Sequence, residues 1–303
     1  MAKAVNFHTI EALRRQCQKR IPNVAFQYLE SGTEKEDALN YNKSQFETIQ
    51  FVPKFCLGEK ITDLKTTFLN QEFSSPIGIA PIGLTGLIWP NAEKHLLKVA
   101  DKNGIPFCLS TVATCKPEDI DPLNQMSSKS KWFQLYPPKD LDILDSLLTR
   151  VKNSGFSTLV ITVDIPAPSR RERSKHAGLN MPLKFSPKLI IDGLIHFKWT
   201  ITTIKNGLPR LKTVESYANN NSLKFVSKFV GNRLGGIIDW KYIELIRSKW
   251  EGPMILKGVL HPDDAFKAKQ IGCDSVYVSN HGARQFDGGV SPLNQLIKIR
   301  QAV

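Results

Sequence analysis

The stretch "VSNHGARQFDGG", Val278 to Gly289, follows the apolar run Ser275-Val276-Tyr277. An apolar segment ends there in a burst of polar groups, with His281 three residues before Arg284, Gly282 between them and Gly288 and Gly289 beyond. A titratable imidazole beside a guanidinium at a strand end is an unusual pairing. It places reactive groups at the end of a sheet where βα folds collect their sites.

The same motif repeats upstream. "PIGIAP" (76–81), "IPFCLS" (105–110), "KWFQLY" (131–136), "STLVITVD" (157–164), "PMILKG" (253–258) and "SVYVSN" (275–280) are short apolar runs, each ending in polar residues. Amphipathic stretches separate them. Asn91 to Asn103 reads as a helix with Asn91 as N-cap and Gly104 as stop. A short helix is expected near Pro117. Residues 139–154 form a helix with Leu141, Leu144, Leu148 and Val151 on one face. Helices around 239–250 and 262–271 follow a long irregular insertion at about 183–235. Strand alternating with helix predicts a parallel sheet. A doubly wound sheet would collect its ligand at one switch point, whereas here every strand end is polar. The pattern therefore predicts a (β/α)8 TIM barrel whose strand ends share one mouth, with about six β/α units present in a single domain spanning 1–303.

Composition bounds the partners. The chain has 303 residues, 41% of them hydrophobic, enough for a sizeable core. Its formal net charge of +13 favours anionic partners such as a phosphorylated cofactor, a carboxylate or an anionic membrane surface. The basic residues are spread along the chain and match no nucleic-acid motif, so no nucleic acid is expected. Five cysteines in no metal-binding spacing predict reduced thiols packing in a cytoplasmic setting. No secretory h-region and no apolar run long enough to span a bilayer is present. Residues 184–212 carry six Lys/Arg and one acid among Phe, Trp, Leu and Ile. Such a segment suits the membrane interface, as a peripheral contact on the inner face of the cytoplasmic membrane. The other reading is a flap over the barrel mouth.

"SNHGARQ" with its "DGG", "WFQLY", "TVDIP", "RRER", "ILKG" and "APIGLTG" together resemble the FMN-dependent α-hydroxy-acid dehydrogenase/oxidase family, from about Pro22 to Val303. The stretch 80–115 looks most like the quinone-linked L-lactate dehydrogenases. The resemblance implies FMN as cofactor, a small 2-hydroxy-acid substrate such as L-lactate, and quinone or a similar electron acceptor. A mandelate dehydrogenase or another 2-hydroxy-acid oxidase is the alternative within the class. It further implies a homo-oligomer for a complete chain.

Residue by residue, the resemblance makes His281 the general base, Asp164 its carboxylate partner and Tyr136 a hydrogen-bond donor to the substrate oxygen. Arg171, Arg284 and Tyr28 would hold the substrate carboxylate, a task for which a guanidinium fork is suited. Pro81, Ile82, Gly83, Ser110, Gln134, Thr162, Lys257 and Ser279 would contact the flavin. Lys257 would meet the negative charge of the reduced ring. Whether His281 removes the Cα proton or the hydroxyl proton stays open. Each residue also has a plainer reading. His281 can be a solvated loop residue, Arg284 a surface ion pair and Asp164 a helix cap. Arg171 can belong to a solvated basic run with Arg170 and Arg173, and Tyr28 can simply pack a helix.

Asp287-Gly288-Gly289 belongs to the His281 motif. The second Asp-Gly-Gly and the Gly-Arg pair that hold the FMN phosphate in the family are not found before Val303. The expectation is thus a C-terminally truncated barrel that holds FMN weakly, with a non-catalytic remnant as the reading from another class.

Overall fold

The computed structural model describes residues 8–56, 58, 62–179, 186–218, 222–235 and 238–303. Helices α1 (Ile10–Arg20), α2 (Asn23–Glu30) and α3 (Asp37–Glu47) lead into an antiparallel ribbon, β1 (Thr66–Phe68) with β2 (Gln71–Phe73). Its turn residues Leu69 and Asn70 both take positive φ, as a tight two-residue hairpin requires. The chain continues through α4 (Thr85–Ile88), α5 (Ala92–Lys102), β3 (Phe107–Ser110), α6 (Pro117–Ile120), β4 (Lys131–Leu135), α7 (Leu141–Asn153) and β5 (Thr158–Thr162). Helices α8 (Glu172–His176), α9 (Pro187–Ile195), α10 (Phe197–Asn206), α11 (Lys212–Glu215) and α12 (Leu223–Arg233) come next. Then follow α13 (Trp240–Lys249), β6 (Met254–Val259), α14 (Pro262–Gln270), β7 (Ser275–Val278) and α15 (Pro292–Ala302).

Among the described residues, β3 to β7 form one parallel five-stranded sheet in sequence order, flanked by helices. This is a (β/α)8-type architecture with fewer than eight units, as the strand pattern predicts. Leu109, Phe133, Leu135, Leu159, Ile161 and Leu256 are buried on these strands against Leu144, Leu147, Leu148 and Val151 of α7 and Ile243 and Ile246 of α13. Because successive parallel strands share this core, their C-terminal ends come out on one side.

Four local expectations need correction. "PIGIAP" is not a strand but a single bridge, Ile79 to Phe107, made by the Ile79 N–H to Pro106 O and the Cys108 N–H to Ile79 O. Prolines 76 and 81 bracket it and lack the N–H groups a longer ladder needs. Asn91 occupies the cap position of α5 in a left-handed conformation, yet its side chain does not cap; its amide donates to Asn206 at 2.9 Å. Leu141 is exposed on α7, and Leu147 takes the buried position expected of it. The described part of the insertion is helical rather than irregular. Residues 183–185 and 219–221 within it lie outside the described residues, as does the start of the 184–212 segment.

The insertion is anchored at both ends. Leu211, Val214, Val226 and Leu234 share a core with Ile21, Ala25 and Phe26 near or on α2 and with Leu84 and Leu87. The Trp199 Nε1–H donates to Leu87 O at 3.0 Å, and the Asn23 N–H donates to Asp192 Oδ2 at 2.7 Å. At the far end, Leu234 bridges Pro138, and Arg233 pairs with Asp140 at 3.0 Å. The closing turn of the insertion therefore lies against the exit of β4.

Candidate active site

A cavity of about 820 Å³ opens at the C-terminal side of the sheet. Its polar floor comes from strand ends: Gln134 on β4, Thr162 on β5, Lys257 on β6 and Ser279 just past β7. Pro81, Ile82 and Gly83 line one side, and Tyr28, Tyr136, Arg171, His281 and Arg284 another. The structure thus gathers residues that the sequence scatters over most of the chain. Two expected residues stand one layer back. Ser110 is buried and donates to Gln134 Oε1 at 2.8 Å, so it orients that amide without lining the cavity. Asp164 lies behind His281.

The His281 loop turns sharply after β7. His281 and Ala283 both adopt left-handed φ, 58° and 57°, with Gly282 at 62° between them. The His281 N–H donates to Ser279 Oγ at 3.1 Å, fixing the turn. His281 Nδ1 lies 2.8 Å from Asp164 Oδ1, and its Nε2 is 3.5 Å from the Tyr136 hydroxyl. A carboxylate on Nδ1 selects the tautomer with the proton there, which leaves the Nε2 lone pair free. Burial, reinforced by the nearby Asp164 charge, pushes the Tyr136 phenol far above its ordinary range, so it stays a protonated donor.

Gly258 makes the His–Asp pair possible. It has φ +108°, and a Cβ there would lie 2.6 Å from Asp164 Cβ. No sequence signal marks this, because the approach joins two strands far apart in the chain. Asn280 and Asn42 exchange amide hydrogen bonds of 3.0 and 2.9 Å and pin the loop to α3. Asp287 of the "DGG" accepts from the Ala38 N–H at 2.9 Å on the same helix, a packing role. Val112, Lys139, Val230 and Leu234 also line the cavity and were not singled out in the sequence. Lys139, after the paired prolines that end β4, was the most readable of these.

The two arginines converge on the end of α2. Arg171 donates to Tyr28 O at 2.5 Å and its guanidinium lies over the Tyr28 ring at 4.7 Å. Arg284 donates to Leu29 O at 2.6 Å. The neighbouring acids are engaged elsewhere: Glu30 with Arg14 at 2.7 Å and Glu36 with Arg173 at 3.1 Å. Arg171 and Arg284 therefore face the cavity without a carboxylate partner among the described residues, and Arg171 Nε has no acceptor. Burial and then repulsion from Arg171 lower the pKa of Arg284. Two partly buried cations that repel each other form a site whose energy falls when an anion enters. Tyr28 donates to Gly83 O at 2.7 Å, which ties this anion site to the Pro81–Gly83 wall.

The floor suits a planar, hydrogen-bonding group. Gln134 Nε2 and Thr162 Oγ1 are buried without partners, an arrangement costly unless a ligand supplies them. Lys257 has its pKa lowered by burial, opposed by Asp164, and places a cation beside them. A flavin ring, with carbonyl and ring-nitrogen acceptors and an N–H donor, fits this set.

Comparison with known proteins agrees. A family model described as FMN-dependent dehydrogenase matches residues 17–303. A solved structure of a monotopic membrane protein, (S)-mandelate dehydrogenase, superposes with a TM-score of 0.91 at 31% identity, over 98% of this chain and 78% of that one. A soluble mutant of the membrane-associated (S)-mandelate dehydrogenase from Pseudomonas putida gives 0.77 at 29% identity, over 98% and 77%. A mandelate oxidase shares the fold at 23% identity with a TM-score of 0.79, over 98% and 76%.

These likenesses overturn two expectations. The similarity is to mandelate-type enzymes, so the assignment to L-lactate dehydrogenase, drawn from residues 80–115, does not stand. Most of that stretch is α4, α5 and β3, scaffold that says little about the substrate; only Ala80–Gly83 and Val112 of it reach the cavity. Nor does the reading of a fragment stand: nearly the whole chain superposes on these enzymes, and its end point carries no conclusion. The cofactor is FMN and the reaction class is oxidation of a 2-hydroxy acid. With its match over residues 17–303, the chain belongs to the family of FMN-dependent dehydrogenases.

Proposed function

We propose that the protein oxidises a mandelate-type 2-hydroxy acid, one with an aryl side chain, to the 2-keto acid. The observation that carries this is the pair of guanidiniums, Arg171 and Arg284, in the same cavity as His281 and beside the apolar lining of Val112, Ile165, Val230 and Leu234. Arg171 and Arg284 hold the substrate carboxylate, and the Tyr28 hydroxyl turns from Gly83 O to donate a third bond to it. Tyr136 donates to the substrate hydroxyl oxygen. His281 Nε2 takes the proton released on oxidation, and Asp164 stabilises the imidazolium that results. FMN, when bound, would accept the two electrons and the second of the two protons that the oxidation releases. Gln134, Thr162, Lys257, Ser279 and the Pro81–Gly83 backbone hold it, and Ser110 fixes the Gln134 amide. Val112, Ile165, Val230 and Leu234 supply the apolar surface for the aryl group.

The test is anaerobic reduction of the FMN-loaded chain, followed by loss of flavin absorbance. Bleaching by (S)-mandelate at concentrations well below those of L-lactate is expected. Bleaching by lactate alone, or by neither acid, defeats the proposal.

The same reading covers location. No helix of the described residues is long and apolar enough to cross a membrane. Yet α9 and α10 expose Leu194 (70%), Ile195 (69%) and Ile204 (71%) next to Lys198 and Lys205. Isoleucines and leucines this exposed on adjoining helices, with lysines beside them, suit a shallow seat in an anionic bilayer. We propose that this face docks peripherally and that a membrane quinone collects the electrons. Replacing Leu194, Ile195 and Ile204 together by serine is expected to abolish sedimentation with anionic vesicles, while flavin reduction in solution stays unchanged. Retained sedimentation of that variant argues against the seat.

A further inference from the structure

The last turns of α12 carry a glycine that the helix does not need. Gly231 lies between Val230 and Leu234, and all three line the cavity. Positions i, i+1 and i+4 share one sector of a helix, so this is the face α12 turns to the site. Glycine is among the poorest residues inside a helix. At many sites it is explained by close packing, as Gly258 is by Asp164. At Gly231 the reverse holds: an added Cβ would meet nothing within 4 Å. Space, not crowding, is what this position provides.

The wall is also held in place. The Lys139 N–H donates to Arg233 O at 2.9 Å, and the Gly235 N–H donates to Pro137 O at 3.0 Å. A Cβ on Gly235 would lie 3.4 Å from Ile165 O. The end of α12 is therefore stapled to the loop after β4, which also carries Tyr136, and passes close to the loop after β5, which carries Asp164. A side chain added at Gly231 would enter the cavity, because these bonds prevent the helix from withdrawing.

We infer that Gly231 is a specificity-determining position, whose missing side chain leaves room for the aryl group of the substrate. The inference rests on the mandelate-type reading and goes beyond it by naming the residue that sets the upper size limit. In the FMN-loaded full-length chain, Gly231→Leu fills the space and Gly231→Ala fills part of it. Across L-lactate, 2-hydroxybutyrate and (S)-mandelate, the Leu variant is expected to lose kcat/KM for mandelate by roughly tenfold to two-hundredfold. The smaller acids should change by about twofold at most, as expected for a side chain that reaches only the far end of the pocket. The Ala variant, a better helix former, should show a smaller loss in the same order, which keeps the test valid if the Leu variant folds poorly. A second readout is equilibrium binding of unreactive acids: phenylacetate should weaken in the Leu variant and acetate should not.

Equal loss for all three acids, or unchanged mandelate turnover in a folded, flavin-loaded Leu variant, overturns the inference and leaves the function standing. A wild-type chain that oxidises none of the acids is the separate result that removes the function.

Discussion

Exchange of His281 for glutamine is expected to lower the rate of flavin reduction by roughly 10²- to 10⁴-fold, the usual worth of a positioned general base. The reasoning starts from the two ring nitrogens. Nδ1 is 2.8 Å from the Asp164 carboxylate, so Nε2 alone is available to receive a proton. Glutamine approximates the reach of imidazole and can donate to Asp164, but it has no basic nitrogen. The anion site is untouched, because Arg171 and Arg284 are held by the backbone carbonyls of Tyr28 and Leu29. Phenylacetate should therefore bind the variant as it binds the parent while reduction nearly stops. Stopped-flow absorbance with saturating substrate checks this. A rate within about tenfold of the parent, below the range for a lost base, would assign the proton transfer to another group.

The second large effect comes from a residue that touches no substrate. Gly258→Ala places a methyl group 2.6 Å from Asp164 Cβ and 2.7 Å from its Cγ, closer than real contacts allow. The φ of +108° adds strain for any residue with a side chain. Asp164 must move, and with it the partner that orients His281. Misplacing a reacting group by about 1 Å can cost on the order of a hundredfold, and a loss of that size is expected in the reduction rate. Asp164→Asn is the control: it keeps the position and removes the charge. If Gly258→Ala is folded, holds flavin and still works at the parental rate, the His–Asp alignment is unimportant.

Much of this was legible in the chain itself. An apolar run that stops in Gln134, Thr162, Lys257 or His281 can be read directly, because strand alternation and strand length are local properties. The residues that the sequence hides depend on distance in space. Gly258 looks like an ordinary glycine until β5 is laid beside β6. Ser110 reads like Gln134, since nothing local says which strand-end group faces the cavity and which stands behind. "PIGIAP" has the apolar composition of a strand, but its prolines limit it to one bridge. The insertion looked irregular because its helices pack on α2 and α4 rather than on the sheet, so no strand sets them off in the sequence. The substrate side chain was hardest to read, because Val230, Gly231 and Leu234 reach the cavity only through the staples at Pro137 and Lys139.

The backbone of the His281 turn has a consequence for anyone who would improve this protein. His281, Ala283 and Arg171 all adopt left-handed φ, a region that costs a residue with a side chain about 1–2 kcal/mol relative to glycine. Two of the three carry the proposed chemistry. A search for thermal stability that scores only folding would favour glycine at each of them, and would raise the melting temperature by erasing the enzyme. Selection on stability and selection on turnover pull in opposite directions at these positions. A library built on this scaffold should hold them fixed and look for its gains in the helices.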